Sequence, residues 1–196
     1  MGNMYSTNRK DALRKNKNVN TQPRQKYLPV SSDVGDNNGN SQVVPLPEFT
    51  DRQKDLVIES WKVVKKDMDQ VGIAMFMKLF ASNPDVQGVF APFKGMTQEE
   101  LIQSNQLRSH AMRVMGTVDK CLSLFEDRQK VVETLHDLGS RHVMYTAKVD
   151  YMDLIGPQFI LAIQPVLETE WSSELENAWS DLFKFIAHIM KAAMTF

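Results

Sequence analysis

Apolar residues recur at spacings of three and four through most of this chain, and nowhere after residue 48 do they alternate as a strand would require. Val57, Trp61 and Val64 mark one face of a first helix, entered through Thr50 and Gln53, which form a capping-box pair. A second helix starts near Asp69 with Gly72, Phe76, Leu79 and Phe80 inward; glycine is costly inside a helix, so Gly72 marks a close crossing. Pro84 opens a short helical segment, and the stretch from Val89 to Met96, with Phe90, Pro92, Phe93 and Gly95, reads as a corner. A short helix near Glu99 to Gln103 precedes a long one striped by Leu107, Ala111, Val114, Val118 and Phe125. Asp127 caps the next, whose stripe is Val131, Leu135 and Leu138 and which ends near His142. Two long helices follow, patterned by Leu154, Phe159, Ile163 and Leu167 and by Leu175, Trp179, Leu182 and Ile186; Pro165 is expected to kink the first of them. The pattern predicts an all-α fold of seven or eight helices around one core.

Two histidines fall on these apolar stripes. His110 lies three residues after Leu107 and four before Val114, and His142 is the next position after Leu138, so both point inward. A buried imidazole needs a partner for each ring nitrogen, and a metal on one with a carbonyl on the other satisfies both. A single such histidine is more simply a hydrogen-bonded core residue. Two of them, on two inward stripes, point to a flat metal cofactor held between their helices. His136 and His188 have no assigned partner and are read as structural or exposed, and Trp61, Trp171 and Trp179 as packing anchors.

With 196 residues there is room for one core and a tail. Residues 1–48 form a basic N-terminal extension expected to be disordered, and 49–196 the folded domain. Charge is segregated: Arg9, Lys10, Arg14, Lys15, Lys17, Arg24 and Lys26 face only Asp11 among the first thirty residues, so in a chain of net charge −1 the body is acidic. Met1-Gly2-Asn3-Met4-Tyr5-Ser6 fits the N-myristoylation pattern at Gly2, and the basic cluster would supply the second, electrostatic signal that stable attachment to an anionic membrane surface requires. Residues 18–48, rich in Asn, Ser, Gly, Gln and Pro, cannot bury enough apolar surface to offset their ordering entropy and read as a linker. Cys121 is the only cysteine, which excludes an intramolecular disulfide and suits a reducing compartment. No apolar run reaches the roughly twenty residues of a membrane span and no secretory signal is present. The expected location is cytoplasmic, with N-myristoylation as the candidate attachment to the inner face of the plasma membrane.

Trp61, the run Phe80-Ala-Ser-Asn-Pro-Asp85, Phe90, His110-Ala-Met-Arg-Val-Met115, Leu138-Gly-Ser-Arg-His142 and Ala178-Trp179-Ser180 stand in the order and near the spacings seen in globins. Over about residues 48–196 the chain resembles that family, most closely its neuroglobin and membrane-associated globin X branches. The resemblance implies a three-over-three helical sandwich holding heme b (iron protoporphyrin IX). By it, His142 is the proximal iron ligand, His110 the distal histidine, Phe90 the corner phenylalanine stacked on the heme and Phe76 a wall of the distal pocket. It also puts Arg113 near a heme propionate, Val114 over the ring, Leu138 among the heme contacts and Gly72 against Ala111. Pro165 departs from the neuroglobin-like pattern, and the long extension favours the globin X comparison.

The functional expectation is a heme protein that binds dioxygen and other diatomic gases, bis-histidyl and hexacoordinate at rest, in a redox or sensing role and not bulk oxygen transport. A redox partner protein belongs to that picture; nucleic acid does not. Two alternatives stay open: heme-dependent nitrite reduction or nitric oxide dioxygenation fed by a separate reductase, and a heme-free adaptor on the same scaffold.

Overall fold

The computed structural model describes residues 48–145 and 147–195, all helix, turn and connecting segment, with no strand among the described residues. The expectations for Gly2, the basic arm and nearly all of the linker lie outside the described residues.

Helix α1 (Asp51–Val64) begins as its sequence dictates: Thr50 Oγ1 accepts from the Gln53 amide at 3.2 Å while Gln53 Oε1 accepts from the Thr50 amide at 3.1 Å. A single tight turn leads into α2 (Met68–Ser82), and Pro84 occupies the first position of α3 (Pro84–Val89). The corner contains one 3₁₀ turn, Ala91–Phe93, and Gly95 at φ 80, a left-handed conformation that glycine adopts without strain. A second capping box, Thr97 with Glu100, opens α4 (Gln98–Gln103), and Ser104 caps α5 (Asn105–Ser123) through the Leu107 amide. Asp127 caps α6 (Arg128–Met144) by accepting from the Lys130 amide. A turn at Val149–Tyr151 leads to α7 (Met152–Leu167), and Ser172 caps α8 (Ser173–Met194).

Two boundaries differ from the sequence reading. Helix α5 stops at Ser123, with Phe125 in the turn beyond it, and α6 continues past His142 to Met144. Pro165, where a kink is expected, lies inside α7, which continues through both it and Pro157. The carbonyls these prolines leave without an intrahelical donor belong to Asp153 and Leu161, both exposed residues, where solvent can serve them.

Helices α1, α5 and α6 lie over α2, α7 and α8, with α2 on α5 and α7, α6 on α8, and α1 on α8 and α7. Aromatic packing joins the layers: Phe159 meets Trp179 at 4.9 Å and Phe183 at 4.6 Å between ring centroids, and Trp61 meets Trp179 at 6.1 Å. Each deep indole has a polar partner. Trp179 Nε1 donates to Ser60 Oγ at 3.1 Å, and Trp61 Nε1 to Asp119 Oδ1 at 2.8 Å. Gly72 is the crossing residue expected of it, since a Cβ there would stand 3.1 Å from both Ala111 Cβ and Met115 Cγ. This architecture bears directly on function, because α5 and α6 pack on other helices and make at most marginal contact with each other, leaving a slot between them.

Candidate functional site

His110 stands on α5 and His142 on α6, both half-buried, one on each side of that slot. Their polar environments differ. His142 Nδ1 lies 2.8 Å from the Leu138 carbonyl oxygen one turn earlier. A carbonyl can only accept, so Nδ1 donates, and in the neutral ring the lone pair is left on Nε2. An imidazole makes a metal ligand in this arrangement: one nitrogen is held by a backbone carbonyl and the other is free to coordinate. Leu138 thus enters the site through its carbonyl as well as its half-buried side chain.

His110 sits in an aromatic box. Its ring is 5.1 Å from that of Phe76 and 5.5 Å, edge-on, from that of Phe90. Phe80 and Phe93 complete the wall, with Phe90 stacked on Phe93 at 5.6 Å and edge-on to Phe80 at 5.6 Å. Gln87 fastens this corner by donating from Nε2 to the carbonyls of Phe93 at 2.8 Å and Met96 at 2.9 Å. Burial in these surroundings, helped by the positive charge of Arg113 and by the neighbouring His142, pushes the His110 pKa down to about 4, so its imidazole is uncharged at neutral pH. Arg113, exposed one turn further along α5, donates from Nη1 to Ser109 Oγ at 3.2 Å and places Nη2 3.5 Å from His110 Nδ1. Val114 is half-buried against the core on the same helix.

Phe76 and Phe90 thus lie against His110 on one side, the Leu138 carbonyl against His142 on the other, and Val114 packs on the core one turn from His110. An apolar disc with a metal at its centre and acidic groups at its rim fits what these residues offer: aromatic and aliphatic walls, two imidazoles and one exposed guanidinium. The contribution of Phe80, Phe93 and Gln87 is absent from the sequence reading. Phe80 and Phe93 read there as generic core and corner, and Gln87 carries no periodic signal. The contact between Arg113 and His110 is foreshadowed only by their spacing of three on one helix. Among the described residues there is no group of three or more His, Cys, Asp or Glu that could hold a metal ion. A groove of about 440 Å³ between α7 and α8, bordered by Gly156, Leu161 and Phe183, contains no histidine and is a separate feature.

Comparison with known proteins agrees with this geometry. The Globin family model matches residues 73–190. Cytoglobin-1 of Oryzias latipes is 28% identical over 147 residues, covering 74% of this chain and 82% of its own length. An anaerobic nitrite reductase of Gossypium hirsutum is 30% identical over 151 residues, covering 74% of this chain and 94% of its own. Among solved structures, a hexacoordinated heme protein from an anhydrobiotic tardigrade superposes with a TM-score of 0.72 at 19% identity, over 76% of this chain and 96% of that one. Ferric Aplysia limacina myoglobin with azide superposes with a TM-score of 0.66 at 23% identity, over 74% and 99%. A family whose members bind heme and diatomic gases such as oxygen thus matches most of the helical region in sequence and in fold, and this chain belongs to the globin family.

Proposed function

We propose that this globin holds heme b in the slot between α5 and α6, with His142 as the proximal ligand, and that it binds dioxygen and other diatomic ligands in a redox or sensing role. The observation that carries the reading is the 2.8 Å bond from His142 Nδ1 to the Leu138 carbonyl, which leaves the Nε2 lone pair free for a metal. Bound there, heme supplies a coordination position for a diatomic ligand and one-electron redox chemistry. The rest is the work of the chain. Phe76, Phe90 and Val114 exclude water and give the disc its apolar wall. Arg113 supplies a cation at the rim for a propionate. His110, uncharged, has two uses: its lone pair completes a bis-histidyl resting state, or its N–H donates to a ligand in the distal pocket. Phe76 offers no hydrogen bond, so polar stabilisation of dioxygen falls to His110.

The ligand-free ferrous visible spectrum of the full-length protein tests this: sharp low-spin bands are expected, and the absence of a Soret band after expression with heme supply would leave a heme-free adaptor. His142→Ala is expected to lose most of its heme while keeping its helix content, and a normal heme complement in that variant would remove the proximal assignment.

A second reading, heme-dependent nitrite reduction or nitric oxide dioxygenation with electrons from a separate reductase, is favoured by the 30% identity to a protein named anaerobic nitrite reductase. Many turnovers per heme with nitrite and a reductase would select it. Acylation at Gly2, with the basic arm against an anionic membrane, completes the proposal. No helix among the described residues is long and apolar enough to cross a membrane, so attachment would rest on that arm. Gly2→Ala is expected to move the protein from membrane to soluble fractions, and an unchanged distribution means the motif is unused.

A further inference from the structure

We propose that Arg113 is a positioning residue that acts through His110: by donating to Nδ1 it holds the distal imidazole with its proton on Nε2, the form that can donate to a ligand but cannot bind the metal. This inference rests on the heme reading above. A guanidinium keeps its proton throughout the accessible pH range, carries five N–H donors and has no acceptor. The nitrogen it faces at 3.5 Å must therefore accept, which puts a lone pair on His110 Nδ1 and the ring proton on Nε2. Ser109 Oγ takes the other arm of the guanidinium at 3.2 Å and steadies it in that position.

The two histidines are thus set in opposite tautomers by their partners. The Leu138 carbonyl accepts from Nδ1 of His142 and frees Nε2 for coordination. Arg113 donates to Nδ1 of His110 and fills Nε2 with hydrogen. For His110 to become the second ligand through Nε2, its proton must move to Nδ1, and a proton there collides with the guanidinium donor. Ligation of His110 and docking of Arg113 are mutually exclusive. Arg113 consequently favours the open, ligand-accepting state over the two-histidine resting state and sets how readily His110 yields its place.

The test uses the full chain loaded with heme and the variants Arg113→Met, Arg113→Glu and Arg113→Lys, with the equilibrium between ligated and free His110 read from carbon monoxide rebinding after photolysis. Arg113→Met is expected to shift that equilibrium toward ligated His110 by about fivefold, the loss of one hydrogen bond. Arg113→Glu goes further in the same direction, because a carboxylate accepts from Nδ1–H and stabilises the ligating tautomer. Arg113→Lys retains a donor and stays near the wild type. An equilibrium unchanged or reversed in Arg113→Met and Arg113→Glu overturns the proposal, as does a loss of heme in both without that ordering, which would mean that Arg113 serves a propionate alone. Imidazole ¹⁵N shifts of His110 in the heme-free full chain give the tautomer directly. Hydrogen on Nε2 in the wild type and on Nδ1 in Arg113→Glu is expected, and Nδ1–H in the wild type sinks the inference whether or not heme binds.

Discussion

Helix α5 carries two titratable side chains that burial drives toward their neutral forms. The His110 pKa falls to about 4 and that of Cys121 rises to about 11, desolvation being the largest cause in each. For His110 the consequence is a stability term with a definite sign. In the unfolded chain it takes up a proton near pH 6.5, and in the folded heme-free protein only near pH 4. Its neutral form is no burden above pH 6.5. As pH falls below that, the unfolded state binds a proton that the folded state refuses, and stability declines until pH 4. The loss across that window is about 3 kcal/mol. Urea unfolding of the heme-free protein at pH 7 and pH 4.5 should show the decline, and His110→Leu should remove most of it; an equal decline in the variant would place its origin elsewhere. At this scale the sequence tells half the story. That His110 and His142 face inward follows from their place on two apolar stripes. Which hydrogen bond each makes does not, because the Leu138 carbonyl is a backbone atom with no compositional mark and Arg113 has several acceptors within reach of its long stem. Met115, fully buried against Gly72, lies four residues after Ala111 and three before Val118 and so shares the stripe that the periodicity marks.

The helices themselves were legible where local chemistry sets them: Thr50 with Gln53, Pro84 and Asp127 each begin a helix as their side chains require. Their close approaches were legible only in part. Gly72 and Gly139 both stand on inward stripes, Gly139 four residues after Leu135, but the stripe does not say that α8 is the helix Gly139 meets. A Cβ at Gly139 would come within 2.5 Å of the Met190 carbonyl oxygen and 2.8 Å of Met190 Cα, backbone atoms that cannot turn aside. One at exposed Gly116 would meet nothing within 4 Å. The same substitution should therefore act in opposite directions on two neighbouring helices. Gly116→Ala is expected to stabilise by about 0.5–1 kcal/mol through helix propensity, and Gly139→Ala to destabilise by about 1–3 kcal/mol through overpacking of α6 on α8. Urea midpoints at unchanged slope measure both. Because His142 is one turn from Gly139, the second variant should also weaken heme retention, whereas the first should leave it alone.

At the scale of the whole molecule, the two layers close around Trp61, Phe159, Trp179 and Phe183 but leave α5 and α6 apart. A core divided in this way has little direct packing between α5 and α6; α6 is secured along α8, and its outer end at Val143, Met144 and Tyr145 is exposed, at 48%, 79% and 72%. Periodicity cannot announce such a slot, since a stripe facing a cofactor and a stripe facing another helix read alike; the family resemblance supplied that part, and the imidazoles made it chemical. If the slot is where heme resides, binding must couple to folding, because a group held by both walls has no site in the unfolded chain. At a free concentration about a thousand times the dissociation constant, such a ligand adds about 4 kcal/mol to the free energy of unfolding. Heme loading should thus raise the thermal midpoint of the full-length protein and slow hydrogen exchange most at α6, whose inner face gains a partner, and least in α1 and α8, which are already packed on each other. His142→Ala should abolish both effects. A midpoint that rises equally in that variant would mean that heme stabilises the protein from a site other than the one between the two histidines.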